Sequence, residues 1–275
     1  MGITHFELLK AGYCTSNQSI ALQKAENKTI RFPASVALLE HDKKGLFLFD
    51  TGYGSHFFQA SKRLPYSIYP KITPVFFKDE EAIKYQLHQK GISPKDIRTV
   101  IISHFHGDHI GGLKDFPNAK FICHDSAFRS IEDKKGFRAL MKGFLPDLIP
   151  GNFRSRLSLL KDSSSYVHQD LKTWDLFDDG SIVLQKLDGH ARGQLGLRFN
   201  YRAKSYFLVA DAAWLWQNYQ QLWFPSPKVK LFFNSWSNYI NNLQKLHQIH
   251  LHTQSEIIPT HCEQTIDRIK KEHHV

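Results

Sequence analysis

Three histidines and an aspartate crowd into the segment Ser103-His104-Phe105-His106-Gly107-Asp108-His109-Ile110-Gly111-Gly112. Neutral imidazole nitrogens together with a carboxylate suit a borderline divalent ion such as zinc. The segment closes a short apolar strand read over Arg98 to Ser103. Ligands at i and i+2 converge while a backbone is still extended. Those at i+4 and i+5 need the chain to turn, which Gly107 and the glycines after Ile110 permit. With 16 histidines in 275 residues, random placement yields only about 0.003 such arrangements. Chance is a poor explanation, and a histidine-rich structural loop is the weaker reading.

Four later or earlier segments are weak alone. A single His190 after glycine reads as a turn residue, a single Asp211 as a helix N-cap, and a single His261 as a surface side chain. Their order around an intact core reverses that reading. His104, His106, Asp108 and His109 match H-x-H-x-D-H, the signature of the metallo-β-lactamase superfamily, and the resemblance extends further. Phe49-Asp50-Thr51-Gly52 resembles the family's early turn, whose Asp lies beneath the metals. Asp188-Gly189-His190-Ala191-Arg192-Gly193-Gln194 is similar to its G-H-T-P-G segment. Val209-Ala210-Asp211 resembles the strand end with the bridging aspartate, and Pro259-Thr260-His261 the segment of the last histidine.

That resemblance implies a fold, a cofactor and roles. The fold is α+β, an αβ/βα sandwich of two facing sheets with helices outside. The cofactor is a pair of divalent metal ions, with zinc expected and manganese, iron or cobalt as alternatives. His104, His106 and His190 would hold one ion, and Asp108, His109 and His261 the other. Asp211 would bridge them. The pair would lower the pKa of a water toward neutrality, making a nucleophile without serine or cysteine. Asp108 would accept or relay a proton to the leaving oxygen. Asp108 and Asp211 are therefore the expected catalytic carboxylates.

The bridging Asp211 argues against a true β-lactamase. Val36-Ala37-Leu38-Leu39-Glu40 and Phe49-Asp50-Thr51-Gly52-Tyr53-Gly54 look most like N-acyl homoserine lactonases, as does the aromatic stretch Arg63 to Phe77. A small-molecule lactone or ester is the expected partner. Phe57, Phe58, Tyr66, Tyr69, Phe76 and Phe77 could wall an acyl pocket or belong to the core. The sequence departs from that branch twice. Trp214 stands three residues after Asp211, where the lactonases carry a tyrosine, and Ala191-Arg192 replaces Thr-Pro. A glyoxalase II-like thioesterase is a second reading, weakened because only 64 residues follow Asp211. A phosphodiesterase acting on RNA or cyclic nucleotides is a third, and a binder without catalysis a fourth.

These residues must be positioned by strands and helices. Ala34 to Glu40 and Leu46 to Asp50 read as a hairpin, Asp79 to Lys90 as a helix ending at Gly91. Ala119 to Cys123, Ile182 to Leu187, Leu195 to Asn200, Ser205 to Ala210 and Glu256 to Pro259 read as strands, the last flanked by helices. One domain is expected over residues 1–275, with a helical, basic insertion at about 124–170. From Phe128 to Lys161 that insertion carries eight Lys/Arg against three acids, and reads equally as a lid or a solvated decoration. The net charge of +10 could draw in nucleic acid, anionic lipid or an acidic metabolite, or serve plain solubility; with no stripe tied to a recognition motif, solubility or general anion attraction stands ahead of nucleic-acid binding. No apolar run is long enough to span a membrane, and no membrane partner is expected. Three widely spaced cysteines and the absence of a signal-peptide pattern point to the cytoplasm. The histidines of Glu272-His273-His274-Val275 read as part of a solvated terminus.

Overall fold

The computed structural model describes residues 2–273, and in it two mixed sheets face each other. The first sheet contains β1 (Ile3–Asn17), β2 (Thr29–His41), β3 (Gly45–Phe49), β4 (Val75–Phe76), β5 (Thr99–Ile101), β6 (Lys120–His124) and β7 (Leu157–Leu160). Its spatial order is β4-β1-β2-β3-β5-β6-β7. The second contains β8 (Tyr166–His168), β9 (Leu171–Asp175), β10 (Ile182–Lys186), β11 (Leu195–Tyr201), β12 (Lys204–Ala210) and β13 (Glu256–Pro259), ordered β13-β12-β11-β10-β9-β8.

Alternation of apolar side chains explains the layering. Along β12, Tyr206, Leu208 and Ala210 point between the sheets, while Phe207 and Val209 point outward. The inner layer joins Phe6, Leu39, Phe47 and Ile101 of the first sheet to Leu184, Leu197, Phe199 and Ile258 of the second. Outside the second sheet lies the helix Trp236–His252, which buries Tyr239, Asn242, Leu243, Leu246 and Ile249. That spacing is one helical face. Its first turn is capped by Ser235, whose Oγ accepts the Asn238 N–H at 3.3 Å.

The strand expectations hold within a residue or two, except that β2 starts five residues before Ala34. The expected helix Asp79 to Lys90 is divided. A 3-10 turn over Asp79–Glu81 precedes the helix Ile83–Gln89, because Ala82 takes an extended ψ of 135°. The 15-residue β1 is the largest element not read beforehand. Gly12, at φ 74°, and register shifts in its pairing with β2, between Ile3 and His5 and between Lys10 and Tyr13, interrupt its alternation.

The segment 124–170, expected to be helical, is helical only in its first part, with short helices at Asp125–Arg129 and Gly136–Leu140. Its second part supplies β7 and β8, edge strands of the two sheets. Nor is it a solvated decoration, since Phe144, Leu145, Leu148 and Phe153 are buried in the core. Arg156 donates to the carbonyls of Phe116, Pro117 and Ala119 and lies over the Phe121 ring. Local composition signals helix, but strand pairing decided the outcome, β7 with the earlier β6 and β8 in a hairpin with β9. His273 also differs from expectation: its ring lies 5.2 Å from that of Phe6, and its Nε2 is 3.0 Å from Tyr206 Oη. His274 and Val275 lie outside the described residues. Among the described residues no helix is long and apolar enough to cross a membrane.

Candidate metal centre

All seven expected metal-site residues meet at one edge of the sandwich. Parallel neighbours deliver them in pairs. Strands β3 and β5 run side by side, so Asp50, just past β3, faces Ser103 just past β5. Strands β12 and β13 are also parallel, so Asp211 and His261 emerge together, and the Thr260 N–H donates to the Ala210 carbonyl at 3.3 Å. The two sheets are tied at this edge by the Leu195 N–H, which donates to the Ser103 carbonyl at 3.0 Å. His190 arrives on the turn between β10 and β11.

The donor atoms fall into three overlapping groups: His104, His106 and His190; His104, His109 and Asp211; Asp108, His109 and His261. Within each, one atom per residue lies within 4.8 Å of the others. His190 Nε2 is 3.0 Å from His106 Nδ1 and 3.3 Å from Asp211 Oδ2. His261 Nε2 is 3.2 Å from the same Asp211 oxygen and 3.5 Å from Asp108 Oδ2. Asp211 thus touches both sides of the cluster.

Support from beneath fixes which nitrogen points inward. The Asp50 carboxylate accepts from Ser103 N–H and Ser103 Oγ–H, each at 2.7 Å, and meets His109 Nδ1 at 2.7 Å. A carboxylate only accepts, so His109 Nδ1 donates and Nε2 turns to the cluster. By the same logic His261 Nδ1 donates to the Pro33 carbonyl at 2.8 Å. Ser103 Oγ also lies 3.0 Å from His104 Nδ1. Ser103 was part of the sequence motif, but its role as the brace of Asp50 and His104 was not read.

Do these residues fit metal ions? The buried His104 Nε2, His109 Nε2, His190 Nδ1 and Asp211 Oδ1 have no hydrogen-bond partner. His109 Nε2 and Asp211 Oδ1 are 3.1 Å apart yet not aligned for a hydrogen bond. Buried polar atoms left this way are costly unless something else satisfies them. The charge balance agrees. Burial opposes protonation of His109, but Asp211, Asp50 and Asp108 outweigh it and raise its pKa well above normal. Burial likewise opposes protonation of His261, and Asp211 again prevails. On the other side of the cluster burial dominates: it pushes His190 down to about 3 and His104 well below its usual value. Burial also opposes ionisation of Asp211, yet His261, His109 and His190 hold it well below the carboxylate range. Neutral imidazoles on one side, and carboxylates drawing positive charge on the other, are a donor set that fits divalent metal ions.

Backbone features hold the loops. Gly189, at φ 150°, passes so close to the helix Trp236–His252 that a Cβ there would lie 2.5 Å from Tyr239 Cα. Gly143, at φ 61°, seats His106: a Cβ would come 2.6 Å from its Cδ2. The 124–170 segment therefore contributes a wall to the centre. Ala210, at φ 47°, takes a left-handed turn that directs Asp211 inward.

Trp214 turns toward the carboxylate three residues before it. Its indole N–H donates to Asp211 Oδ2 at 3.1 Å, and Asn218 Oδ1 accepts its backbone N–H. The aromatics read as pocket wall or core divide. Phe57 is fully buried and packs against Tyr69, whereas Phe76 stacks on Tyr13 at the edge of the first sheet. A cavity of ≈ 50 Å³ beside His104, His106 and His190 is walled by Ile131, Met141, Phe232 and Phe233 instead. The Tyr239 hydroxyl, buried without a hydrogen-bond partner, ends close enough for Asp211 to add to the upward push that burial gives its pKa. Nothing in the sequence singled it out. A larger groove of ≈ 770 Å³ lies between the second sheet and the long helix, but it is lined by residues such as Lys172, Asn241 and Gln248 and by none of the donors.

Comparison with known proteins agrees with this geometry. Residues 29–251 match the family model described as metallo-beta-lactamase superfamily. An N-acyl homoserine lactonase AiiB of Agrobacterium fabrum is 27% identical over 203 residues, covering 70% of this chain and 67% of that protein. An N-acyl homoserine lactonase AttM of Rhizobium radiobacter is 27% identical over 178 residues, 63% of this chain and 60% of its own length. The matched part thus spans about two thirds or less of these curated relatives. A solved N-acyl homoserine lactone hydrolase, with N-hexanoyl-L-homoserine bound at its catalytic metal centre, superposes with a TM-score of 0.77. It is 17% identical, over 98% of this chain and 97% of that one, which shows a shared fold.

Proposed function

The chain belongs to the metallo-β-lactamase superfamily, and from that premise we propose that it is a metal-dependent hydrolase of a lactone or other small ester, similar to the N-acyl homoserine lactonases. The observation that carries this reading is the convergence of His104, His106, Asp108, His109, His190, Asp211 and His261 in one buried donor cluster. In this reading His104, His106 and His190 hold one divalent ion, Asp108, His109 and His261 the other, and Asp211 both. Zinc is the ion expected from imidazole and carboxylate donors; manganese, iron or cobalt are compatible with the same set. Such ions, when bound, polarise an ester carbonyl and bring the pKa of a water near neutrality.

The chain's own residues do the rest. Asp50 and Ser103 keep His109 and His104 aimed. Asp108, at the cluster edge and slightly exposed, is the group we assign to hold a proton and deliver it to the leaving oxygen. Trp214 orients Asp211 through its N–H, so its role is that of a positioning residue rather than a group touching the carbonyl. The small cavity walled by Met141 and Phe232 gives the apolar part of a substrate a place beside the donors. A single domain over residues 1–275 and a cytoplasmic location belong to the same proposal, the latter supported by three free, buried cysteines.

Ring opening of a medium-chain acyl homoserine lactone, followed as proton release in weak buffer, tests the reading. Zinc- or manganese-loaded protein should turn over, and a chelator should stop it. No turnover with both ions verified would remove the lactone assignment and direct the search to thioesters and phosphodiesters.

A further inference from the structure

The surface around the mouth of the metal centre has an unusual make-up. Six of the eleven exposed large apolar side chains among the described residues, 58% to 87% exposed, sit on only three segments: Leu64 and Ile72, Phe137 and Met141, Leu231 and Phe232. Those segments converge. Met141, Leu231 and Phe232 line the cavity that His104, His106 and His190 also line. Tyr66 Oη accepts the Gly136 N–H at 2.8 Å, joining the first segment to the second. Tyr69 packs on Phe57 at 5.2 Å, and a Cβ on Gly107 would lie 3.6 Å from its hydroxyl, so this segment borders the metal-site turn.

Charge on the same segments is one-sided. Residues 62–72 contain Lys62, Arg63 and Lys71; residues 134–143 contain Lys134, Lys135, Arg138 and Lys142; residues 227–232 contain Lys228 and Lys230. None of these stretches contains an acidic residue, although Glu132 and Asp133 immediately precede the second, so the three segments carry nine cations in a chain whose net charge is +10, with Lys142 lining the cavity itself. Among the described residues none of the nine takes part in an ion pair.

We propose that this rim docks the protein on an anionic lipid bilayer, with the metal-site mouth facing the lipid–water interface. Protruding apolar side chains that enter the headgroup region, ringed by Lys and Arg, are the two signals that peripheral attachment needs together. Four of the six, Leu64, Ile72, Met141 and Leu231, are aliphatic or thioether side chains that give nucleic-acid bases nothing to stack on, and only Phe137 and Phe232 offer a ring. A second copy of the same face would bring like charges together across a two-fold interface. An acidic membrane surface answers both features. The attachment is to the surface and involves no spanning segment. It goes beyond the proposed hydrolysis and holds whichever bond the site cuts.

Flotation of the full-length, metal-loaded protein with phospholipid vesicles, without substrate, reads the proposal. Vesicles containing about 30% phosphatidylglycerol should bind at least ~10-fold more protein than pure phosphatidylcholine, with the difference lost near ~0.5 M salt. Leu64→Asp with Leu231→Asp should lower binding to the anionic vesicles about tenfold, and Lys71→Glu with Arg138→Glu at least as much. Lys95→Glu with Lys120→Glu, outside the rim, should leave it unchanged; circular dichroism and metal content check that every variant is folded. Equal binding to both vesicle types, no binding to either, or an equal loss in the Lys95/Lys120 pair overturns the proposal. So does salt-sensitive binding of an RNA or DNA duplex that vesicles fail to compete, or sedimentation as a dimer that the rim substitutions dissolve.

Discussion

The metal centre has two halves that are held in opposite ways. The half from the first sheet places His104, His106, Asp108 and His109 on one short turn. Its geometry is enforced locally by Asp50 and Ser103, and by backbone contact so close that a Cβ on Gly111 would come 2.6 Å from the Gly52 carbonyl oxygen. The half from the second sheet gathers His190, Asp211 and His261 from three separate loops. Two of them are held by something distant in the chain, Gly189 against Tyr239 and His261 by the Pro33 carbonyl, while Asp211 is met by Trp214 three residues on. The first half is set by chain contiguity, the second by the pairing and packing of whole strands. Asp211 joins them on both sides, with Oδ2 near His190 and His261 and Oδ1 near His109, beside the direct approaches of His190 to His106 and of His261 to Asp108.

The sharpest way to break this arrangement is at the joint. Asp211→Asn should cut metal content to one ion or fewer per chain and lower activity by more than about 100-fold, beyond the usual loss for a residue that only supports ligands. Metal analysis of the purified variant with steady-state rates checks this; two retained ions would separate Asp211 from the bridging role. The brace under the first half comes next. Asp50→Asn keeps the shape but weakens acceptance from His109 and Ser103, and metal affinity should fall about 10- to 100-fold, read by competition with a chelating dye. The smallest effect belongs to the second half. Trp214→Phe keeps a ring and removes the N–H to Asp211, and kcat should drop about tenfold with both ions retained and KM little changed. A KM rise instead would mean that the indole touches substrate.

The same contrast explains what was legible in the residues. The turn of Ser103 to Gly112 declared itself because its four candidate ligands are neighbours in the chain, a pattern chance does not produce. His190, Asp211 and His261 became legible only through their order behind it. The short strands β3, β5, β6 and β10 to β13 were read nearly to the residue, since each is an apolar run between turn signals. β1 was not, because a bulge and Gly12 break its alternation. β7 and β8 were hidden in a segment of helical, basic composition, and their strand character comes from partners in β6 and β9.

By itself the sequence determined the ligand types, their order, the family they resemble and the alternating strands that build a sandwich. These are properties of side-chain chemistry and of periods of two or three to four residues, which neighbours in the chain express. Only the tertiary structure decided where single polar atoms point. The Trp214 N–H goes to Asp211, Gly143 seats His106, and Phe76 turns to Tyr13 rather than the site. It also gathered Leu64, Phe137 and Leu231, with nine cations, onto one rim. Apart from the Trp214–Asp211 bond, which spans three residues, these arrangements join residues tens of positions apart or more, and no local pattern carries them.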